Sequence, residues 1–246
     1  MRKPNNLLGK GDTNTKLRKN GAHFETFGLS LAPHTMGGPN VCPFAGECKG
    51  PCLVHTGNGH TFKGVNAGRV NRKRLYFEER AWFLSRLNQE IENKVKTARK
   101  RRKRVAIRLN VFSDITWEKI APQLFENGAQ FYDYSKNPKR WGNVLPNYWV
   151  TFSRDERNEH HATRILDSGG CAAVVFYNQG RGFVGNRSKF QTLPETWNGF
   201  PVIDGDKTDL RFEDPRGVVV GLRLKAATTA NRQKAIDSGF AVPSLP

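Results

Sequence analysis

The sequence lacks an apolar run long enough to span a bilayer, and no apolar signal core follows its charged start, Met1-Arg2-Lys3-Pro4-Asn5-Asn6. Both absences point to a protein of the cytoplasm, without a membrane partner. Acidic residues are scarce, 22 against 40 Lys and Arg, so the formal net charge is +18. Cysteine is scarce too. With four residues in a compartment that keeps thiols reduced, a disulfide framework is excluded. No strand-like segment is followed by a Gly-rich dinucleotide fingerprint or a phosphate loop, which argues against a Rossmann nucleotide site. No internal repeat of fixed period is present. No order of Cys/His or Ser/His/Asp residues reads as a nucleophilic triad.

What remains fits a globular chain of 246 residues, 37% hydrophobic and 11% aromatic, long enough to bury a core. Residues 1–22 are polar, basic and rich in Gly and Asn, and read as an N-terminal arm ahead of a domain over 23–246. Strand-like segments lie at 23–31, 105–112, 130–134, 148–153, 172–177, 201–204 and 218–224. Between them fall a helix over 71–99, with Phe77, Ala81, Leu84, Leu87, Ile91 and Val95 at steps of three and four, and further helices starting near Thr116, Asn158 and Thr229. Alternation of this kind predicts a single-domain α/β fold with a mainly parallel sheet, as a partial or closed (β/α) barrel of six to seven strands.

The segment 33–68 has little periodicity and many Gly, Pro and Asn residues. Long loops inside a compact domain are usually functional. It carries Cys42, Cys48 and Cys52 in the stretch CPFAGECKGPC. Three thiolates on one short Gly/Pro-rich loop can converge on an iron–sulfur cluster or a zinc ion. A structural zinc ion wants a fourth protein ligand. His55 is three residues past Cys52, and His34, His60 and Cys171 are further candidates. A four-iron (4Fe-4S) cluster with three cysteines instead keeps one iron open. Cys171 itself begins an apolar strand and reads as a small buried hydrophobe. His160 and His161 read as surface residues.

In α/β folds, sites form at the carboxyl ends of the strands. Polar residues expected there are Asn110, Ser113, Asp114, Asp133, Ser153, Arg154, Asp204 and Asp206, as catalytic or substrate-binding groups. Each taken singly is also ordinary cap chemistry. Asp214 and Arg216 read as a structural salt bridge. A second feature is electrostatic: residues 94–104, KVKTARKRRKR, hold eight basic residues in eleven positions. Arg99, Lys100, Arg101, Arg102 and Lys103 are the expected contacts to nucleic-acid phosphates, with a solvated helix end as the plainer reading.

The chain resembles a family of bacteriophage-encoded proteins. The resemblance rests on Asn14-Thr15-Lys16, Leu29-Ser30-Leu31-Ala32-Pro33, the Cys42/Cys48/Cys52 loop, Arg108-Leu109-Asn110, Ser113-Asp114-Ile115, Phe131-Tyr132-Asp133-Tyr134 and Thr151-Phe152-Ser153-Arg154. Leu193-Pro194-Glu195-Thr196, Val202-Ile203-Asp204-Gly205-Asp206 and Asp209-Leu210-Arg211-Phe212 complete it. It implies a phage origin, a host-cell cytoplasm and a single domain. The order first strand, cysteine loop, long helix, second strand is also similar to that of radical-SAM (β/α) barrel enzymes. That similarity implies a 4Fe-4S cluster whose open iron takes S-adenosylmethionine, in an enzyme acting on nucleic acid or nucleotides. The spacing Cys-x5-Cys-x3-Cys departs from the Cys-x3-Cys-x2-Cys usual there. The alternative is a zinc-stabilised nucleic-acid-binding protein without catalysis.

Overall fold

The structure is a computed structural model and describes residues 2–11, 23–55, 63–142, 145–179 and 190–244. Asn14-Thr15-Lys16 and His60 lie outside the described residues. All seven strand-like segments form strands of one mostly parallel sheet: β2 (Phe24–Leu29), β3 (Arg104–Arg108), β4 (Gln130–Ser135), β5 (Tyr148–Ser153), β6 (Ala172–Tyr177), β8 (Phe200–Asp204) and β9 (Val219–Arg223). Three short strands join them: β1 (Leu8–Lys10), β7 (Thr196–Trp197) and β10 (Val242–Pro243). The order is β1-β2-β3-β4-β5-β6-β9-β8-β7, with β10 pairing to the far end of β6. No pairing joins the two ends of this path among the described residues, so the sheet is open and barrel closure is absent there.

From β2 to β6 each strand lies beside its predecessor in the chain. Right-handed crossovers in strict sequence put their connections on one face. The packing follows this rule. Helix α2 (Arg80–Lys100) buries Phe83, Leu87, Ile91 and Val95 against Phe27, Ile107, Phe131 and Tyr148. The short α3 (Trp117–Ile120) joins the same core through Trp117. Helix α4 (Glu159–Asp167) buries Ala162, Ile165 and Leu166 against Phe152, Ala172 and Val174. The alternate residues face the other way and are covered by chain rather than by crossover helices. Phe24, Ala106 and Tyr132 pack under Leu210 and Phe212. Val175, Tyr177 and Leu224 pack under Phe240 and Ala235 of α5 (Thr229–Asp237).

The helix expected over 71–99 is two helices. Helix α1 (Lys63–Glu78) ends at a kink at Glu79, with φ −128° and ψ 49°, and α2 follows. Arg80 donates its Nε to the Tyr76 carbonyl at 3.1 Å and stacks on that ring. A side chain inserted into the helical ladder is a known cause of kinks. The kink also shifts the buried face. Leu75 and Tyr76 are buried before it and Phe83 after it, whereas Ala81 of the expected stripe is exposed.

Part of the expected arm is tied down. Leu8 and Lys10 pair with Leu29 and Phe27 across an antiparallel edge, and Leu7 and Leu8 are buried. The buried Glu90 carboxylate accepts from the Leu7 amide at 2.8 Å and the Leu8 amide at 3.3 Å. Lys3 pairs with Glu79 at 2.6 Å. Removing the shared acceptor should free this edge. Glu90→Ala is expected to cost about 1–3 kcal/mol, the range for stranded buried donors, and to speed proteolytic release of the first residues. An unchanged denaturation midpoint would show that β1 docks without it.

Candidate functional site

The cysteine loop lies across the carboxyl ends of the parallel strands. Cys42 Sγ donates to the Phe112 carbonyl at 3.2 Å, and the Asp114 amide donates to the Val41 carbonyl at 2.8 Å, both just past β3. Further along, the Glu47 amide donates to Glu156, which follows β5, at 3.2 Å. Glu47 also pairs with Lys234 of α5 at 3.3 Å. Gly46 makes this docking possible. Its φ is +49°, and a Cβ there would stand 2.5 Å from both Glu156 and Arg157.

The three thiols sit in different surroundings along this bridge. Cys42 is half-buried, and burial pushes its thiol up to about 11. Its sulfur also accepts from the His34 amide at 3.3 Å. Cys48 packs against the apolar group of Leu224, Ala235, Phe240 and Ala241, on the face free of crossover helices. Cys52 is half-buried, and nearby Arg69, whose pKa is lowered chiefly by burial, holds its guanidinium 4.4 Å from the Phe112 ring centre. His34 carries a left-handed φ of +35°, and its Nε2 is buried without a hydrogen-bond partner among the described residues. Burial first, then His55, Lys49 and Lys73, holds its pKa below the ordinary value. His55 ends the short turn Leu53–His55, half-buried. The fully buried Lys73 clamps the start of the loop, donating to the His34 carbonyl and, at 3.1 Å, to that of Met36. By type, three thiols and an unpartnered imidazole nitrogen suit a thiophilic metal. By position, no three His, Cys, Asp or Glu side chains among the described residues already meet as a ligand group. Cys171 stands apart. Its Sγ donates to the Pro215 carbonyl at 3.2 Å, one residue before β6 and at the other end of the sheet.

Most of the predicted strand-end residues do gather, but on the helix side. Asp133 is fully buried and accepts from the Asn110 amide at 2.7 Å, the Asn110 side chain at 3.2 Å and the Tyr148 hydroxyl at 2.8 Å. Asn110 in turn receives Ser113 Oγ at 2.8 Å and Trp117 Nε1 at 3.2 Å. Asp114 accepts from Ser135 Oγ at 2.7 Å and the Lys136 amide at 3.0 Å. Lys136 Nζ continues the chain to Ser153 Oγ at 3.0 Å and the Arg154 carbonyl at 3.3 Å. Arg140, 2% exposed, joins the groups: it holds Glu118 with two bonds of 2.9 Å, meets Asp114 at 3.2 Å and donates to Tyr148. This network ties β3, β4 and β5 together beneath α3.

Asp204 and Asp206 stand elsewhere, at the end of β8. Arg223 holds Asp204 at 2.7 Å and Asp206 at 3.3 Å, and Lys225 also pairs with Asp206. Asp214 pairs with Arg211 at 3.1 Å, while Arg216 lies over the Trp149 ring, so the expected Asp214–Arg216 bridge is replaced by Asp214–Arg211. Sequence reasoning passed over Lys73, Lys136 and Arg140. Only Lys73 carried a signal, four residues before Phe77 on the apolar stripe. The predicted nucleic-acid contacts, Arg99 to Lys103, end α2 and precede β3, so they lie at the amino ends of the strands, opposite the cysteines.

Burial raises the Asp133 carboxyl to about 7, against the opposing pull of Arg140 and Arg108. A carboxyl raised on folding binds its proton more tightly in the native state. Its stabilising share is complete below the unfolded value, near 4, and is lost as pH rises towards 7. Denaturation measured from pH 4 to 8 should therefore fall less steeply for Asp133→Asn than for the parent chain. Parallel curves would mean that Asp133 ionises normally.

No curated protein and no solved structure is detectably similar to the chain. The phage-type family model described as Gene product 88 matches residues 3–243. That span includes the cysteine loop and every strand of the sheet, and the chain belongs to the Gene product 88 family.

Proposed function

We propose that the chain is a phage-encoded iron–sulfur protein in which Cys42, Cys48 and Cys52 hold one 4Fe-4S cluster, in a radical-SAM-like enzyme acting on nucleic acid or nucleotides. One observation carries the reading: three thiols share a loop that bridges the carboxyl ends of parallel strands from β3 to β5 and on to α5. Ligand sites of parallel α/β sheets form at that end. The single winding of β2 to β6, with crossover helices on one face, is also the arrangement of a partial barrel. A cluster held by three thiolates supplies electrons and one open coordination position, which suits the amino and carboxylate groups of S-adenosylmethionine.

The chain's own residues would prepare this site. Lys73 fixes the first half of the loop through the His34 and Met36 carbonyls, and its ammonium opposes in part the burial that raises the Cys42 thiol. Cys48 packs against the buried apolar group of Leu224, Ala235, Phe240 and Ala241, which would keep water from a bound group on that side. A second reading is favoured by the unpartnered Nε2 of His34, which with the three cysteines makes a Cys3His donor set for structural zinc.

Anaerobic purification with iron, sulfide and zinc analysis separates the two. About four irons and four sulfides per chain, with broad visible absorption lost in Cys42→Ser, are expected. A colourless protein with one zinc per chain would replace the first reading with the second. Metal-free protein after anaerobic reconstitution with iron and sulfide, and after incubation with zinc, would end both.

A further inference from the structure

We propose that the basic ridge at the end of α2 is a sequence-independent docking surface for nucleic-acid phosphates, separate in space and in energy from the cysteine loop. The inference goes beyond the metal reading and does not depend on it.

The ridge contains seven exposed cations between Lys96 and Arg104. Helix-end cations are normally explained by the helix dipole, but that dipole amounts to about half a charge and acts within one turn. It accounts for one or two of these residues, not for four that follow the last helical residue, Lys100. The chain turns sharply there, with Arg102 at φ +55°, so the cations fan out from a corner. Ion pairing neutralises little of the charge. Arg101 meets Glu25 at 3.3 Å, and Glu92 and Glu126 line the adjoining groove. Three carboxylates against seven cations leave an excess of four.

The shape suits a chain of phosphates. Lys96, Arg99 and Lys100 share one helix face at spacings of three and four, about 5–6 Å between neighbours. They border a groove of about 650 Å³ between α2 and the 123–127 segment. A second groove of about 200 Å³ runs on past Lys103 and Arg104 to Gln130 and Asn147, and Arg99 lines both. Gly128 lets Arg99 lie flat at this junction. Its φ is +82°, and a Cβ there would meet the guanidinium at 2.9 Å.

The occupant follows from what the ridge offers. Three amides of the groove floor are already committed: Asn127 to Leu124, Asn147 to Phe125 and Ala129, Gln130 to Phe131. Charged donors are left to meet a ligand, and they read phosphate rather than base. A membrane surface would favour apolar anchors beside the cations. The exposed large hydrophobics among the described residues are Phe44, Ile120 and Phe190, and none is in the ridge. The ridge adjoins the amino ends of β3, β4 and β5, whereas the cysteines cover the carboxyl ends. A strand docked here is tethered to the protein without entering the cysteine site.

The test uses the full chain and fluorescently labelled single-stranded DNA of about 20 nucleotides in two unrelated sequences. An excess of four cations predicts a log–log salt slope of roughly −3, so affinity should fall about 50-fold between 50 and 200 mM salt, equally for both sequences. The triple variant Lys96→Gln, Arg99→Gln, Lys100→Gln should bind at least tenfold more weakly, with a slope reduced by about 2. Its metal content should equal that of the parent. Cys42→Ser should keep the parent's affinity for DNA. Parent-like binding by the triple variant would overturn the proposal. So would binding to phosphatidylserine vesicles without binding to DNA, or a loss of DNA binding in Cys42→Ser as large as in the triple variant. Because all three substituted residues are exposed, an unchanged thermal midpoint separates lost docking from lost folding.

Discussion

Sequential winding of the parallel strands is the constraint from which the rest of the molecule follows. Because β2 to β6 lie side by side in chain order, right-handed crossovers send α1 to α4 towards one face. The opposite face would then be a bare apolar surface. It is covered instead by non-crossover chain: Leu210 and Phe212 over Phe24 and Tyr132, α5 and Phe240 over Tyr177 and Leu224, and Cys48 beside them. The cysteine loop is thus part of the cover that this topology demands, which is why it spans from β3 to α5 rather than hanging free.

The same winding explains where the buried charges go. Strand residues alternate between faces. Asp133 points to the helix layer with Phe131, where Asn110, Tyr148 and Arg140 surround it. Arg108, Tyr132 and Tyr134 point the other way, where Arg108 meets Asp209 at 3.2 Å and lies over Tyr134. Each face therefore carries one buried polar network built on a strand-borne charge. Burying such a charge is costly unless it is paired, and here Arg108 meets Asp209 while Asn110 and Tyr148 donate to Asp133. The networks bind the covering segments to the sheet more specifically than apolar contact alone.

Polarity along the sheet is the third consequence. The thiols and the cations that close α2 occupy opposite ends, and five strand residues of β3 separate them.

Local periodicity was enough to read the seven long strands, the last helix at Thr229–Asp237 and the loop that carries the cysteines. Periods of 2 and 3.6 are written in short windows and survive without knowledge of partners. The short strands β1, β7 and β10 were not legible, since two or three residues carry no period. Nor was the kink at Glu79, which depends on one side-chain bond from Arg80. Of the candidate site, the residue types were legible and their company was not. Asn110, Ser113 and Asp133 meet, whereas Asp204 and Asp206 belong to Arg223 and Lys225. The sequence by itself determined the seven long strands, their order and which end of them is polar. Only the tertiary structure decided which face each strand residue takes and which charge meets which. Those choices rest on contacts between residues as far apart as Arg108 and Asp209, 101 positions along the chain, which no local pattern encodes.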